Sequence, residues 1–222
     1  VSRRIFVGYD TREVAAYNAC INSLKSNSSV NCNIIPLKLN TLTELGIYNR
    51  DVDPLSSTEF SFTRFLVPYL CNYSGWAIFC DCDFIFLEDI EKLYQLKDEN
   101  YAVMCVQHNY TPSSLVKMDG KTQHLYPRKN WSSLILWNCA HPSNKQVTPE
   151  LINKQTGQFL HRFTWLKDEE IGSLSQEWNW LVGWYKEPSD GMPKALHFTE
   201  GGPWFENYIN CEYSECYYKY AR

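Results

Sequence analysis

The sequence predicts one α/β domain spanning residues 1–222, with a mixed, mainly parallel central sheet flanked by helices. Two observations carry that expectation. The chain opens as strand, helix, strand, the crossover that parallel neighbours need. Beyond it, short apolar runs alternate with brief helical periodicities, and no internal repeat, low-complexity tract or linker divides them. The size agrees: 222 residues with 44% hydrophobic side chains bury roughly 70–75% of the unfolded surface, so the core needs no disulfide or metal staple.

In order, Ile5–Tyr9 is a β-rich run that ends at Asp10-Thr11-Arg12-Glu13, where Asp10 and Glu13 have the spacing of a capping box. Val14, Tyr17, Ile21 and Leu24 then recur at helical spacing, and Asn33–Leu39 is the next strand. Turn formers and acids over residues 40–58 indicate a loop with at most a short helix. Glu59–Leu70 is expected to be helical, with Pro68 limiting its end. Trp76–Cys80 reads as a buried strand with Asp81-Cys82-Asp83 at its C-terminal end. Ile90, Leu93 and Leu96 mark a short helix, and Tyr101–Gln107 and Leu134–Trp137 are strands. Residues 109–130 look like a hairpin or a substrate loop. Residues 148–180, anchored by Glu150, Leu151, Phe159 and Asp168–Leu174, are expected to be broken helix, and Lys194–Phe198 a last short strand.

Composition narrows the partners. Lys plus Arg number 21 against 25 Asp plus Glu, a net charge of −4 without a long basic run, which argues against nucleic acid or an anionic membrane surface. No stretch reaches the 18 apolar residues of a membrane helix. The nine cysteines are odd in number and contain no C-x-x-C pair, and Val1–Val7 has no signal-peptide core, so reduced thiols in a cytoplasmic protein are expected. The 8 Trp, 15 Tyr and 11 Phe suit stacking on sugars or bases as well as packing.

Trp76–Leu87 is the most informative segment. Asp81 and Asp83 interrupt an apolar run at i and i+2, which in a strand puts both carboxylates on one face and Cys80 and Cys82 on the other. No basic residue lies near them in sequence, so the pair repels itself unless protonated or bridged. A hard divalent ion, Mg²⁺ or Mn²⁺, with open positions for phosphate oxygens resolves the repulsion. Two chemistries use such a pair: a phosphatase whose first Asp is a nucleophile, and a transferase whose metal bridges a nucleotide-sugar diphosphate. The phosphatase pattern lies near the N-terminus with Thr or Val close behind; here the pair is at 81–83 and Ile85 follows.

Gly8-Tyr9-Asp10 follows the first strand, at the ligand edge of a parallel sheet, and offers a ring for a base and a carboxylate for a uracil N–H. There is no Gly-x-Gly-x-x-Gly fingerprint. His197 through Trp204 ends a late strand. His197 suits Mn²⁺ beside two carboxylates, and Gly201 and Gly202 let backbone N–H groups approach a phosphate.

Four segments together, Phe6–Asp10, Ser61–Leu70, the Asp81–Asp83 strand and His197–Trp204, resemble the small GT-A-fold glycosyltransferases, organised as in glycosyltransferase family 8. The likeness is closer still to small bacterial and algal-virus enzymes that share Tyr126-Pro127-Arg128-Lys129-Asn130-Trp131-Ser132-Ser133-Leu134. The resemblance implies a Mn²⁺-dependent (or Mg²⁺-dependent) transferase that moves a sugar from a UDP-sugar donor to a glycan or glycoprotein acceptor. It also implies that Asp81, Asp83 and His197 hold the metal, with Asp81 near the ribose, while Tyr9 and Asp10 hold uracil and Gly8 lies with them in the donor nucleotide-sugar site. Arg64 would face the donor sugar or the first Asp, and Gly201 and Gly202 the phosphates. Family 8 has a Lys before its Pro-Trp where this chain has Gly202, so the phosphates would rely on metal and backbone, helped by Arg12 or Lys194.

Asp168, Glu169 and Glu200 are the carboxylates to test as catalytic base. Trp131, Asn138 and the 109–130 loop are expected to meet sugar or acceptor. The competing functions are a catalytically silent nucleotide-sugar-binding domain and, further off, a metal-dependent phosphatase.

Overall fold

The computed structural model describes residues 2–51, 56–109, 128–186 and 191–221. Strand β1 (Arg3–Gly8), helix α1 (Val14–Asn27) and strand β2 (Cys32–Leu37) form the expected parallel crossover, with Ile5 opposite Ile34 and Gly8 opposite Leu37. β2 is an edge strand, which is where Pro36, lacking an N–H, is tolerated. The capping box does not form. Glu13 is the N-cap residue and no side chain caps the helix, because the Asp10 carboxylate is turned onto Arg12 and Glu59 instead.

A short helix α2 (Leu39–Glu44) follows β2. Glu59–Leu70 is not one helix: a 3₁₀ turn over Thr63–Leu66 runs into a single α-turn, α3 (Val67–Leu70). Pro68 stands in the first turn of α3, where its missing N–H has no partner to lose, so it opens the helix rather than closing it.

Next come β3 (Trp76–Cys80), β4 (Phe84–Phe86), α4 (Ile90–Tyr94) and β5 (Val103–Val106). After the segment 110–127, which lies outside the described residues together with most of the loop expected there, come β6 (Leu134–Asn138), α5 (Pro149–Lys154), α6 (Gly157–His161) and β7 (Ile171–Leu174). The chain closes with β8 (Trp180–Leu181), β9 (Ala195–His197) and α7 (Ser214–Tyr220). The expectation of helix through 148–180 is corrected at β7. Within β7, Gly172 leaves room for the Tyr101 ring, which an added Cβ would approach to 2.7 Å.

The main sheet has the order β2-β1-β3-β6-β5-β7, parallel except where β6 runs against β3 and β5. β3 and β6 are buried along their whole length and accordingly carry nearly unbroken apolar runs. A smaller sheet has the order β4-β9-β8, with Phe84 opposite His197. The Asp81–Asp83 turn is the hinge between them: the chain leaves the large sheet at Cys80 and enters the small one at Phe84. α7 lies against α1, where the Asn27 side chain donates to the Tyr220 hydroxyl and the Asn22 side chain to the Tyr220 carbonyl. Among the described residues no helix is long and apolar enough to cross a membrane.

Candidate metal and donor site

The turn between the two sheets carries Asp81 and Asp83, and β9 delivers His197 to meet them. One ligand atom from each lies within 4.8 Å of the other two. Asp83 Oδ2 is 3.4 Å from His197 Nε2, and the imidazole is stacked on Phe84 with ring centres 4.4 Å apart. The pair therefore converges through a turn rather than along one face of a strand, and the register of β4 on β9 is what brings the histidine in.

The residues fit a divalent ion. Asp83 Oδ1 is buried with no hydrogen-bond partner. A bare buried acceptor costs about 1–3 kcal/mol, and more when charged, a penalty that a cation among two carboxylates and an imidazole removes. The three ligand atoms are close enough together that one small divalent ion could reach all of them.

Arg64 faces the first aspartate. Its Nη1 donates to Asp81 Oδ1 at 2.7 Å and to the Ser132 carbonyl at 2.9 Å. The guanidinium is buried against the rings of Phe60 and Phe79, 5.3 and 5.0 Å from their centres. Burial pushes the Asp81 carboxyl up, Arg64 pulls it down and Asp83 pushes it up again, leaving it above the usual carboxylate range. Glu13 is a further acid of this corner that sequence reasoning missed, having assigned it only to a cap. Burial, then the charges of Asp83 and Asp10, raise its carboxyl to about 7. The available signal was topological: the residue that begins α1 lies over the end of β1, and β3 ends next door.

At the end of β1, Gly8 has a packing role, since a Cβ there would sit 2.5 Å from the Phe60 ring. Asp10 is fully buried. Its Oδ1 accepts from the Arg12 backbone N–H and Nε, both at 2.9 Å, and its Oδ2 from Arg12 Nη2 at 2.7 Å and the Glu59 N–H at 3.1 Å. Those four donors fill its lone pairs, so no acceptor remains for a uracil N–H, and Arg12 is pinned as well. Tyr9 is the better candidate for a base. It lines a cleft of about 600 Å³ with Thr11, Lys38, Asn40 and Glu59, and the Lys38 ammonium stands 4.8 Å from its ring centre. Lys38, the first residue after β2, was not foreseen.

Glu200 lies three residues beyond His197 and accepts from Trp184 Nε1 at 3.2 Å. Gly201 adopts φ +122° and its N–H is already bonded to the Phe198 carbonyl, so it shapes the turn rather than offering a donor to phosphate. Gly202 makes room for Trp204, whose ring would be 2.1 Å from an added Cβ. Lys194 is paired with Glu177 at 2.7 Å.

Asp168 and Glu169 are not brought to the cluster. They are exposed on a 3₁₀ turn before β7, the far edge strand, which begins level with Ala77 rather than with the end of β3. Asn138 is also misplaced as a sugar contact. It lies opposite Trp76, at the other end of β3 from Asp81, and bonds Glu99. Trp131, at the correct end, donates to the His108 carbonyl at 3.3 Å.

No family model matches the chain. Protein CDI of Arabidopsis thaliana is 53% identical over 216 residues, covering 96% of this chain and 83% of that protein. Among solved structures, the apo bifunctional glycosyltransferase WbbM superposes with a TM-score of 0.70 at 14% identity, over 99% of this chain and 49% of WbbM, so the chain spans about half of that protein. The galactosyltransferase LgtC, solved with donor and acceptor sugar analogues, gives 0.62 at 10% identity over 98% of this chain and 95% of its own. A glycosyltransferase involved in glycosylation of the major capsid of PBCV-1 gives 0.54 at 13% identity over 100% of both chains.

Proposed function

The chain belongs to the family of Protein CDI of Arabidopsis thaliana and has the GT-A glycosyltransferase fold, and from that premise we propose that it is a metal-dependent glycosyltransferase acting on a nucleotide-sugar, with UDP the favoured nucleotide. The observation that carries the proposal is the Asp81–Asp83–His197 cluster with its bare buried oxygen, seated where the large sheet hands over to the small one. The acceptor would be a glycan or glycoprotein hydroxyl. Nine free thiols, six of them buried, fit a reducing, cytoplasmic setting.

Mn²⁺ or Mg²⁺, held by Asp81, Asp83 and His197, would supply Lewis-acid neutralisation of the charge that builds on the leaving diphosphate. The chain's own residues do the rest. Tyr9 stacks on the base in the cleft beneath Lys38. Asp10 does not touch the nucleotide; it fixes Arg12 and the Glu59 loop and so holds one wall of that cleft. Arg64 keeps Asp81 oriented and balances one of the two charges before any ligand arrives. Of the three candidate carboxylates, Glu200, with one oxygen held by Trp184, is the one we assign to receive the acceptor proton should the reaction be inverting.

The test is a thermal-shift titration with UDP, GDP and ADP, each with Mn²⁺ and with chelator. Nucleotide at a hundredfold excess over Kd stabilises by about 2.7 kcal/mol, roughly 5–10 °C in a chain of this size. UDP with Mn²⁺ should give that shift, chelator should remove it, and Asp83→Ala should abolish it. UDP release from UDP-sugars would then identify the donor. Absence of a shift with every nucleotide would refute the donor-site assignment.

A further inference from the structure

An imidazole that ligates a metal must present a lone pair, and which nitrogen does so is set by the bond the other nitrogen makes. His197 is 2% exposed, and its Nδ1 lies 2.9 Å from Asn179 Oδ1. Asn179 is fully buried, and its Nδ2 donates to Ser133 Oγ at 2.8 Å. Ser133 Oγ donates in turn to the Asn130 carbonyl at 2.7 Å.

Each bond dictates the polarity of the next. Two acceptors lie near the Ser133 hydroxyl, the Asn130 carbonyl at 2.7 Å and His197 Nδ1 at 3.5 Å; the shorter contact takes its single proton, and Ser133 offers a lone pair to the Asn179 amide N–H. That orients the amide with its oxygen towards His197, and an amide oxygen only accepts. The His197 proton must therefore sit on Nδ1, which leaves the lone pair on Nε2, the nitrogen that faces Asp83.

We propose that Asn179 is a positioning residue which, through Ser133, locks His197 in the Nδ1–H tautomer and so presets Nε2 to ligate the metal; this rests on the metal reading given above. The same turn serves the other side of the cluster. Its Ser132 carbonyl takes Arg64, its Ser133 carbonyl takes the Asp81 N–H at 2.9 Å, and Asn130 starts it from the left-handed region at φ +63°. One short turn thus holds Asp81 directly and His197 through Asn179.

Long-range ¹H–¹⁵N correlation on the labelled, chelator-treated chain at mildly alkaline pH should show His197 protonated at Nδ1 and bare at Nε2. The opposite tautomer overturns the proposal. Mn²⁺ titration calorimetry should show Asn179→Leu, similar in volume but without an acceptor, binding about ten- to hundredfold more weakly. Asn179→Asp, which keeps an acceptor towards Nδ1, should restore affinity close to wild type. Unchanged affinity in a folded Asn179→Leu protein also overturns the lock. If that variant does not fold, Ser133→Ala frees the amide to rotate, and mixed tautomers with weaker Mn²⁺ binding are then expected; a single Nδ1–H form at full affinity would overturn the relay. The two readings part cleanly. A wild-type chain with His197 in the Nδ1–H form and no affinity for Mn²⁺ supports the lock and removes the metal.

Discussion

Asp10 and Asp81 stand at the C-terminal ends of neighbouring parallel strands, and each is bonded to an arginine at 2.7 Å, yet they end in opposite electrostatic states. Burial pushes both carboxyls up. At Asp10 the Arg12 side chain and the backbone N–H groups of Arg12 and Glu59 outweigh it, and the group is held below the usual range. At Asp81 the single arginine does not suffice, because Asp83 adds a like charge beside it. What separates them is the number of donors, not the presence of an arginine. A saturated buried carboxylate belongs to the fold, whereas an unsaturated pair is a site in want of a cation.

The most disruptive test of that contrast is Asp10→Ala. It removes the shared acceptor of four bonds and leaves the Glu59 N–H without its partner, a cost of about 2–4 kcal/mol. In a chain of this length that is roughly 5–15 °C in Tm. Nucleotide affinity should fall with the cleft wall, while Mn²⁺ affinity should hold. The pH sign follows from a depressed carboxyl: its stabilisation is present above the usual carboxylate value of 3.8 and is lost as pH falls through the lower folded value. Wild type and variant should differ most at pH 7, and the gap should close as acid protonates Asp10 below 3.8. A Tm gap that persists there would mean the loss is one of packing and not of the charged contacts.

Glu13 sharpens the comparison from the other side. Its carboxyl is raised from 4.5 to about 7, so between those values the native state holds a proton that the unfolded chain has released. Stability from this group is therefore present at low pH and drains away as pH rises through 7. Glu13→Gln should raise the Tm of the chelated protein at pH 8 and leave it nearly unchanged at pH 4. Added Mn²⁺ should shrink the difference at pH 8, because a cation beside Asp83 removes part of the repulsion. Equal stabilisation at both pH values would place Glu13 outside the electrostatic cluster.

Those two residues also mark where the sequence stops being readable. The opening crossover, β3 with its embedded acids and β9 with its histidine were legible, because an apolar run interrupted by charges is a local pattern. The capping box was misread because the competing donor to Asp10 is Glu59, forty-nine positions away. β7 was missed because Ile171–Leu174 is four residues long and follows a run of acids that reads as helix. Glu13, Lys38 and Asn179 are ordinary polar residues in sequence. Only the stacking of α1 over β1, the neighbouring ends of β1 and β2, and the turn at Ser133 give them partners.

The smallest effect is expected at the carboxylates that local pattern favoured and topology rejects. Asp168 is 88% exposed and its contact is an ion pair with Arg128, and exposed pairs contribute about 0–1 kcal/mol. β7 begins level with Ala77, four residues below Asp81, on an edge strand separated from β3 by β6 and β5, roughly 14 Å across at 4.8 Å per strand. A base must come within hydrogen-bond reach of the hydroxyl it deprotonates, and nothing in that register brings these groups to the metal corner. Asp168→Asn and Glu169→Gln should each change stability by less than about 0.5 kcal/mol and leave the rate of sugar transfer within about twofold. Glu200→Gln should cut kcat far more than KM, because in the proposed reaction it removes the proton acceptor and leaves the donor site intact. The reverse ranking, with Asp168→Asn crippled and Glu200→Gln active, would move the acceptor across the sheet to the β7 edge, and the comparison between a structural and a cation-seeking carboxylate would then need a third, catalytic pole far from both.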